Sequence, residues 1–354
     1  MTTLTRRRKV VFALVAMMLG AVVAAVLLLA ADLVLHYRAE RSAGLNRYGY
    51  RGPVVGRARA GELRVVTLGG STMFGYGVPW HESIPAVLEP KLQARLGRPV
   101  SVVNLAYNNE GAYSFVPNLE DFAYLDYDAI VLYEGYNDLP GDEGVNTSVY
   151  RRNSAIFRLT GYFPILPLYL DEKVMMLRSG GLSAGYEGLR TGRPTVFRPN
   201  LAQRTGAGAL EAVSTMARAL DAQLSRVASD VRAPLTTQSA LGCAAPWVNF
   251  CESMASAVRY GRSRQDAVVV VSQPRLVGLS REPHERQQAM LADMVRRNFG
   301  ADRGVVWADL ATVVDLANPD HTFDAMHLSP PANAIVADAL VEPIVNALAG
   351  AGIK

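Results

Sequence analysis

The segment Leu68-Gly69-Gly70-Ser71-Thr72 ends an apolar run with two glycines and a serine. Glycines allow the sharp turn that leaves a serine exposed at the carboxyl edge of a sheet, where open α/β sheets bind ligands. A hydroxyl is a weak nucleophile until a base takes its proton, so such a serine needs a histidine from elsewhere in the chain. By itself Gly-Gly-Ser after a strand is more often a phosphate-cradling turn or a plain loop. The partner comes near the C-terminus, in Phe323-Asp324-Ala325-Met326-His327-Leu328-Ser329-Pro330. An Asp and a His three apart on a loop can approach each other, and the carboxylate then holds the imidazole in its useful tautomer. Of the four other histidines, His36 sits at the edge of a long apolar segment, and His81, His284 and His321 have no comparable context. The third block is Leu132-Tyr133-Glu134-Gly135-Tyr136-Asn137-Asp138. Gly135 permits a tight turn, and Asn137 there can aim an amide N–H at the same edge as Ser71, where acyl transfer would develop an oxyanion. An ordinary Asn-Asp turn after a strand is the bland alternative.

These blocks need a scaffold that brings three distant segments to one edge. Apolar runs of strand length occur at Arg64–Leu68, Pro99–Leu105, Ala129–Tyr133, Ala267–Ser272 and Val305–Leu310. They are Val-rich and continuous rather than alternating, as strands buried on both faces should be. Helical patterns separate them: Ile84–Leu96 (with Pro90 expected to kink it), Ala209–Val227, Arg286–Phe299 and Pro331–Leu348. The alternation predicts an α/β fold with a central parallel sheet of about five strands and helices on both faces. The three chemical blocks then follow the first and third strands and precede the last helix. Residues 36–62, rich in Arg, Gly and Pro, read as a linker. The stretch from about 140 to 206 breaks the rhythm and reads as a loop-like insertion, packing on the domain body or forming a lid or membrane-facing patch.

Taken together and in this order, the three blocks resemble the SGNH/GDSL hydrolase family. Gly69-Gly70-Ser71 matches the nucleophile block, Gly135-Tyr136-Asn137-Asp138 the Gly-x-Asn-Asp block, and Asp324-Ala325-Met326-His327 the Asp-x-x-His block. The resemblance spans about residues 64–348 and implies a flavodoxin-like three-layer α/β/α sandwich at 63–350. It implies Ser71 as nucleophile, His327 as base and Asp324 as its orienting carboxylate. It also makes the Ser71 N–H and Asn137 oxyanion donors. The family completes its oxyanion hole with a glycine after the second strand. In Asn104-Leu105-Ala106-Tyr107-Asn108-Asn109-Glu110-Gly111 the best match is Gly111, with Asn108 or Asn109 as alternatives.

The chain has 354 residues, of which half are hydrophobic and 19% charged, so disorder throughout is excluded. A net charge of +4, scattered apart from Arg6-Arg7-Arg8-Lys9, gives no nucleic-acid footprint. From Val10 to Ala31 there is neither charge nor Pro, and apolar character continues past Asp32 to Leu35. Such a segment reaches roughly 33 Å, enough for a bilayer core. Residues 10–35 are therefore expected to be a transmembrane anchor, since the apolar stretch of a cleaved signal peptide is usually about 7–15 residues. The contiguous cations of residues 1–9 put the N-terminus in the cytoplasm and the large C-terminal part outside, against the more dilute Arg38, Arg41, Arg47 and Arg51. The two cysteines, Cys243 and Cys251, form a disulfide in such a compartment or are two unrelated buried thiols.

The expectation is a membrane-anchored serine esterase acting on O-acyl, chiefly O-acetyl, esters of an envelope or exported carbohydrate, or on lipid esters. It needs no metal or organic cofactor. A polysaccharide O-acetyltransferase on the same fold and a non-catalytic anchored binding or assembly protein are the alternatives.

Overall fold

The computed structural model describes residues 5–41, 44–181, 184, 196–226, 234–236 and 239–353. Met1–Leu4 of the basic N-terminus, Val227 and residues 182–183 and 185–195 of the insertion lie outside the described residues. The chain divides into two compact units, residues 1–39 with 154–229, and residues 40–153 with 230–354.

The second unit carries five parallel strands: β1 (Leu63–Gly69), β2 (Val100–Asn104), β3 (Ala129–Tyr133), β4 (Ala267–Val271) and β5 (Val305–Ala308). Their order is β2-β1-β3-β4-β5, which is the flavodoxin-like arrangement expected from the sequence. The first and central strands are buried along their whole length because helices cover both faces. Val65, Val131 and Val269 share a core with Leu88 and Leu92 of α3 (Ile84–Leu96) and with Val336 and Leu340 of α10 (Pro330–Gly350). On the opposite face α8 (Val248–Ser263) comes so close that a Cβ at Gly261 would lie 2.6 Å from Ile130 and 2.8 Å from Val268. That layer also holds α4 (Phe115–Asp121) and α9 (Arg281–Phe299). Helix α3 runs through Pro90. Helix α9 starts about a turn earlier than its apolar spacing suggests, because its first residues, Arg281-Glu282-Pro283, are polar or Pro.

Within the stretch read as a linker, residues from 44 onward belong to the second unit. Asn46, Tyr50 and Arg51 are buried, and Leu45 and Arg51 bridge each other while Arg51 also bridges Asn104 at the end of β2. The Arg51 guanidinium donates to the carbonyls of Phe74, Gly75 (2.6 Å) and Val78 (2.6 Å). It thus ties together the turn that follows Ser71. Burial lowers its pKa to about 10.

The first unit contains α1 (Arg6–Arg41), α5 (Ala155–Thr160), α6 (Leu166–Ser179) and α7 (Leu201–Ser225). The described part of the insertion thus carries the helices α5 and α6 and the start of α7, where a loop-like stretch was expected. Helix α7 begins at a capping box: the Asn200 side chain accepts from the Gln203 N–H, and the Gln203 side chain accepts from the Asn200 N–H, each at 2.9 Å. Gly206 and Gly208 mask its first turns in the sequence because glycine is a poor helix former. Packing against α6 supplies what propensity does not: a Cβ at Gly206 would lie 3.7 Å from Leu177. Asp32, near the end of α1, is buried and accepts from the Ile165 N–H (3.0 Å), the Leu166 N–H (2.5 Å) and the Tyr162 hydroxyl. It thereby satisfies open N–H groups at the start of α6 that have no partner within their own helix. His36, one turn on, reaches the Phe163 carbonyl at 2.7 Å.

Helix α1 is long and apolar enough for a membrane span or a signal sequence. Helix α10 is also long and apolar, but its Val336, Leu340 and Ile344 are buried in the core of the second unit.

Candidate active site

Parallel strands with this order change direction of winding between β1 and β3, and the crevice at their carboxyl ends is where such sheets bind ligands. The register pairs Gly69 with Tyr133, so the residues that follow the two strands emerge at one level. Two glycines are required there by close approach. A Cβ on Gly69 would lie 2.4 Å from the Tyr133 carbonyl oxygen, and one on Gly70 would lie 1.9 Å from Asn137 Nδ2. Ser71 follows at the start of the four-residue helix α2 (Ser71–Phe74).

His327 is delivered by the loop before α10. An antiparallel bridge between Thr322 and Leu328 closes this loop, and Ser329 caps the helix, with Pro330 and Pro331 in its first turn. Inside the loop Ala325 takes a left-handed φ of +63°, an uncommon conformation for a residue with a Cβ and one that clusters at functional sites. The result folds Asp324 back over its own turn. Its Oδ1 accepts from the backbone N–H of Met326 (3.1 Å) and of His327 (2.7 Å), and its Oδ2 lies 2.6 Å from His327 Nδ1. On the other side of the ring, His327 Nε2 lies 2.8 Å from Ser71 Oγ. With its proton on Nδ1 the imidazole donates to Asp324 and accepts from the Ser71 hydroxyl. Partial burial pushes the Asp324 carboxyl up, but these hydrogen bonds outweigh it and hold it below its usual range. Tyr76 (ring centroid 4.7 Å away) and Phe323 (6.0 Å) flank the imidazole and are themselves partly exposed.

Asn137 follows Gly135 in a short 3-10 turn. Its Nδ2 donates to the Glu110 carbonyl at 3.0 Å and to Glu134 Oε2 at 3.4 Å. Gly111 is therefore one residue from Asn137's partner. It packs on Asp138, whose carboxylate also accepts from the Ala112 N–H at 2.8 Å. The chain after β2 continues along β1 before turning, with the Leu105 N–H donating to Thr67 and the Tyr107 N–H to Gly69, which accounts for the long spacing from strand to Gly111. Asn109 makes that turn at a left-handed φ of +59°, and Asn108 has a buried side-chain oxygen without a hydrogen-bond partner.

Residues that sequence reasoning missed surround this loop. Glu134 is fully buried, and its Oε1 accepts from the N–H groups of Gly135 (2.8 Å) and Asn137 (3.1 Å). Burial and the nearby Asp138 push its carboxyl far up, and burial does the same to Asp138. Glu110 is buried against Arg151 at 3.7 Å and accepts from Asn118 Nδ2 (2.7 Å) and the Tyr150 N–H (2.7 Å). Cys243 and Cys251 are joined as a disulfide with Cα atoms 5.8 Å apart. Among the described residues no group of three or more His, Cys, Asp or Glu is placed to hold a metal ion.

No family model and no curated protein matches the sequence. Among solved structures the chain is similar to a member of the lipolytic protein G-D-S-L family from Veillonella parvula, at 9% identity and a TM-score of 0.42, covering 80% of this chain and 98% of that one. It is also similar to the acetyl xylan esterase AlAXEase (10%, TM-score 0.41, 79% of this chain and 98% of that one). A third such structure is the psychrotrophic esterase EstA from Pseudoalteromonas sp. (10%, TM-score 0.42, 81% and 98%).

Proposed function

We propose that this chain is a serine esterase of the SGNH type, held at a membrane by α1 with its catalytic unit outside the cytoplasm. The observation that carries the reading is the continuous line from Asp324 Oδ2 through the His327 ring to Ser71 Oγ, at 2.6 and 2.8 Å. A carboxylate, an imidazole and a hydroxyl in that order make a nucleophile, its base and the group that orients the base.

Ser71 Oγ attacks the carbonyl carbon of an ester while His327 Nε2 takes its proton. The oxyanion is bound by the Ser71 N–H, the Asn137 amide and the Gly111 N–H. The intermediate collapses, the alcohol leaves with the proton from His327, and the acyl group stays on Ser71. Water then attacks, gives a proton to His327, and the acid is released as the Ser71 hydroxyl is restored. The leaving alcohol departs beside His327, where Tyr76 and Phe323 offer apolar ring faces of the kind that sugar rings and acyl chains pack on. These rings support O-acyl carbohydrate or lipid esters as the substrate class. The disulfide supports an oxidising compartment, and hence the orientation.

The test is labelling with a fluorophosphonate, which reacts only with an activated serine, followed by a panel of acetyl, butyryl and long-chain esters and acetylated polysaccharides. The wild-type chain should label and a Ser71→Ala chain should not. Loss of the covalent route should cost at least about 10³-fold in ester turnover. Equal turnover by the Ser71→Ala protein would sink the mechanism.

A further inference from the structure

An asparagine amide has two N–H donors, and here the protein takes both. One goes to the Glu110 carbonyl at 3.0 Å and the other to Glu134 Oε2 at 3.4 Å. Asn137 can serve an oxyanion only if one of these partners gives way. The Glu110 carbonyl is fixed by its loop, and its bond is the shorter. The Glu134 contact is the longer, and it is the one whose strength depends on protonation. A carboxylate accepts a charge-assisted hydrogen bond, whereas a neutral carboxyl is a weaker acceptor that can itself donate.

We propose that Glu134 is a positioning residue that controls the oxyanion donor: as a carboxylate it keeps the Asn137 amide N–H, and as a neutral acid it releases that N–H to the substrate. Two features of the geometry restrict its role to this. Glu134 is fully buried, with Oε1 committed to the Gly135 and Asn137 N–H groups, so only Oε2 is free to change partners. That oxygen also faces the backbone beside the nucleophile, since a Cβ on Gly70 would lie 2.9 Å from it. A negative charge there opposes the oxyanion, and a neutral group does not.

The other titratable and charged groups around Glu134 are few. On its own strand and turn are Asp138 and the Tyr133 and Tyr136 hydroxyls, all pushed up by burial. On the segment after β2 lies Glu110 with Arg151. On α9, His284 packs against Tyr136 at 5.0 Å, and burial lowers its pKa to about 4. Across Ser71 is the pair His327 and Asp324. Burial and the proximity of Asp138 raise the Glu134 carboxyl enough that the neutral form extends toward neutral pH. The inference rests on the esterase reading, and its test keeps the two separable.

The experiment measures the rate of fluorophosphonate labelling of the full-length protein at about pH 7.5 and about pH 9.5, a window in which an ordinary imidazole stays neutral and available as a base. Ser71 Oγ bonds to phosphorus, fluoride leaves, and the phosphoryl oxygen occupies the oxyanion position. Labelling of the wild-type protein should fall toward alkaline pH. Glu134→Gln keeps an acceptor for the two backbone N–H groups and carries no charge at any pH. Its ratio of alkaline to neutral rate should exceed that of wild type by roughly tenfold or more. Asn137→Ala removes the donor, so it should label slowly at both pH values with the alkaline fall abolished. That arm serves also if Glu134→Gln does not fold. Equal pH profiles for wild type and Glu134→Gln, or an alkaline fall that persists in Asn137→Ala, overturn the proposal. No labelling of wild type at either pH overturns the esterase reading instead.

Discussion

Replacing Arg151 with Met tests how the loop after β2 is held. Arg151 is fully buried. Its Nε donates to the Gly49 carbonyl at 2.6 Å, and Nη2 to the carbonyls of Leu105 (3.0 Å) and Ala106 (3.1 Å). Its Nη1 lies 3.5 Å from Asn118 Oδ1 and 3.7 Å from Glu110 Oε2. Met keeps the apolar stem and deletes the charge, so Glu110 is left buried without a counter-ion. Breaking a buried pair in this way costs about 3–5 kcal/mol, and the three abandoned carbonyls favour the upper end. At about 2–4 °C per kcal/mol for a unit of this size, the melting temperature should drop by about 6–20 °C, read by calorimetry.

The loss should depend on pH. Burial pushes the Glu110 carboxyl up, and Arg151 is the largest pull in the other direction. Without Arg151 the folded-state pKa rises further above its unfolded value. A carboxyl raised on folding binds more protons folded than unfolded, so stability falls as pH climbs from the unfolded pKa through the folded one. The gap between Arg151→Met and wild type should therefore widen from acid to neutral pH. Adding Glu110→Gln, which removes the stranded charge, should recover much of the loss. A single variant melting within about 2 °C of wild type would refute the reasoning, as would a double variant no better than the single.

Gly70→Ala should lower the melting temperature by a few degrees and cut ester turnover about 10²–10³-fold. The new Cβ would lie 1.9 Å from Asn137 Nδ2 and 2.9 Å from the buried Glu134 Oε2, so both side chains must shift. Asn137→Ala should cost a similar factor in ester hydrolysis. The double variant Cys243→Ser with Cys251→Ser should fold and keep its turnover but melt several degrees lower, because closing an eight-residue separation stabilises by about 2–3 kcal/mol. A reporter active only outside the cytoplasm, fused after Lys354, should be active, and a reporter active only in the cytoplasm should be silent there.

The sheet was legible because its strands are buried on both faces, and unbroken runs such as Ala267–Val271 have no other economical reading. The chemical blocks were legible because each keeps its partners within a few residues: Asp324 bonds the backbone and ring of His327 inside one turn. Arg51, Arg151, Glu110 and Glu134 were not, since most of their partners are backbone groups or side chains brought close only by folding. Arg51 reaches carbonyls more than twenty residues away, and a charged residue in a Gly- and Pro-rich stretch reads as solvated. The described helices of the insertion were hidden differently. Its glycines and prolines suppress the apolar period, although Asn200 and Gln203 already spelled a helix start.

The carboxylate of Asp32 has a consequence for how this architecture can be inherited. Asp32 and His36 on α1 hold Tyr162, Phe163, Ile165 and Leu166 at the entry to α6, so the leading helix is a folding partner of the insertion as well as an apolar rod. An unrelated hydrophobic helix spliced in its place would keep the length and lose those contacts. Descendants that delete the insertion are released from needing an acid at position 32, and those that change the leading helix must change the entry to α6 with it. The two segments lie more than a hundred residues apart, yet they should be gained, lost and exchanged as one heritable module.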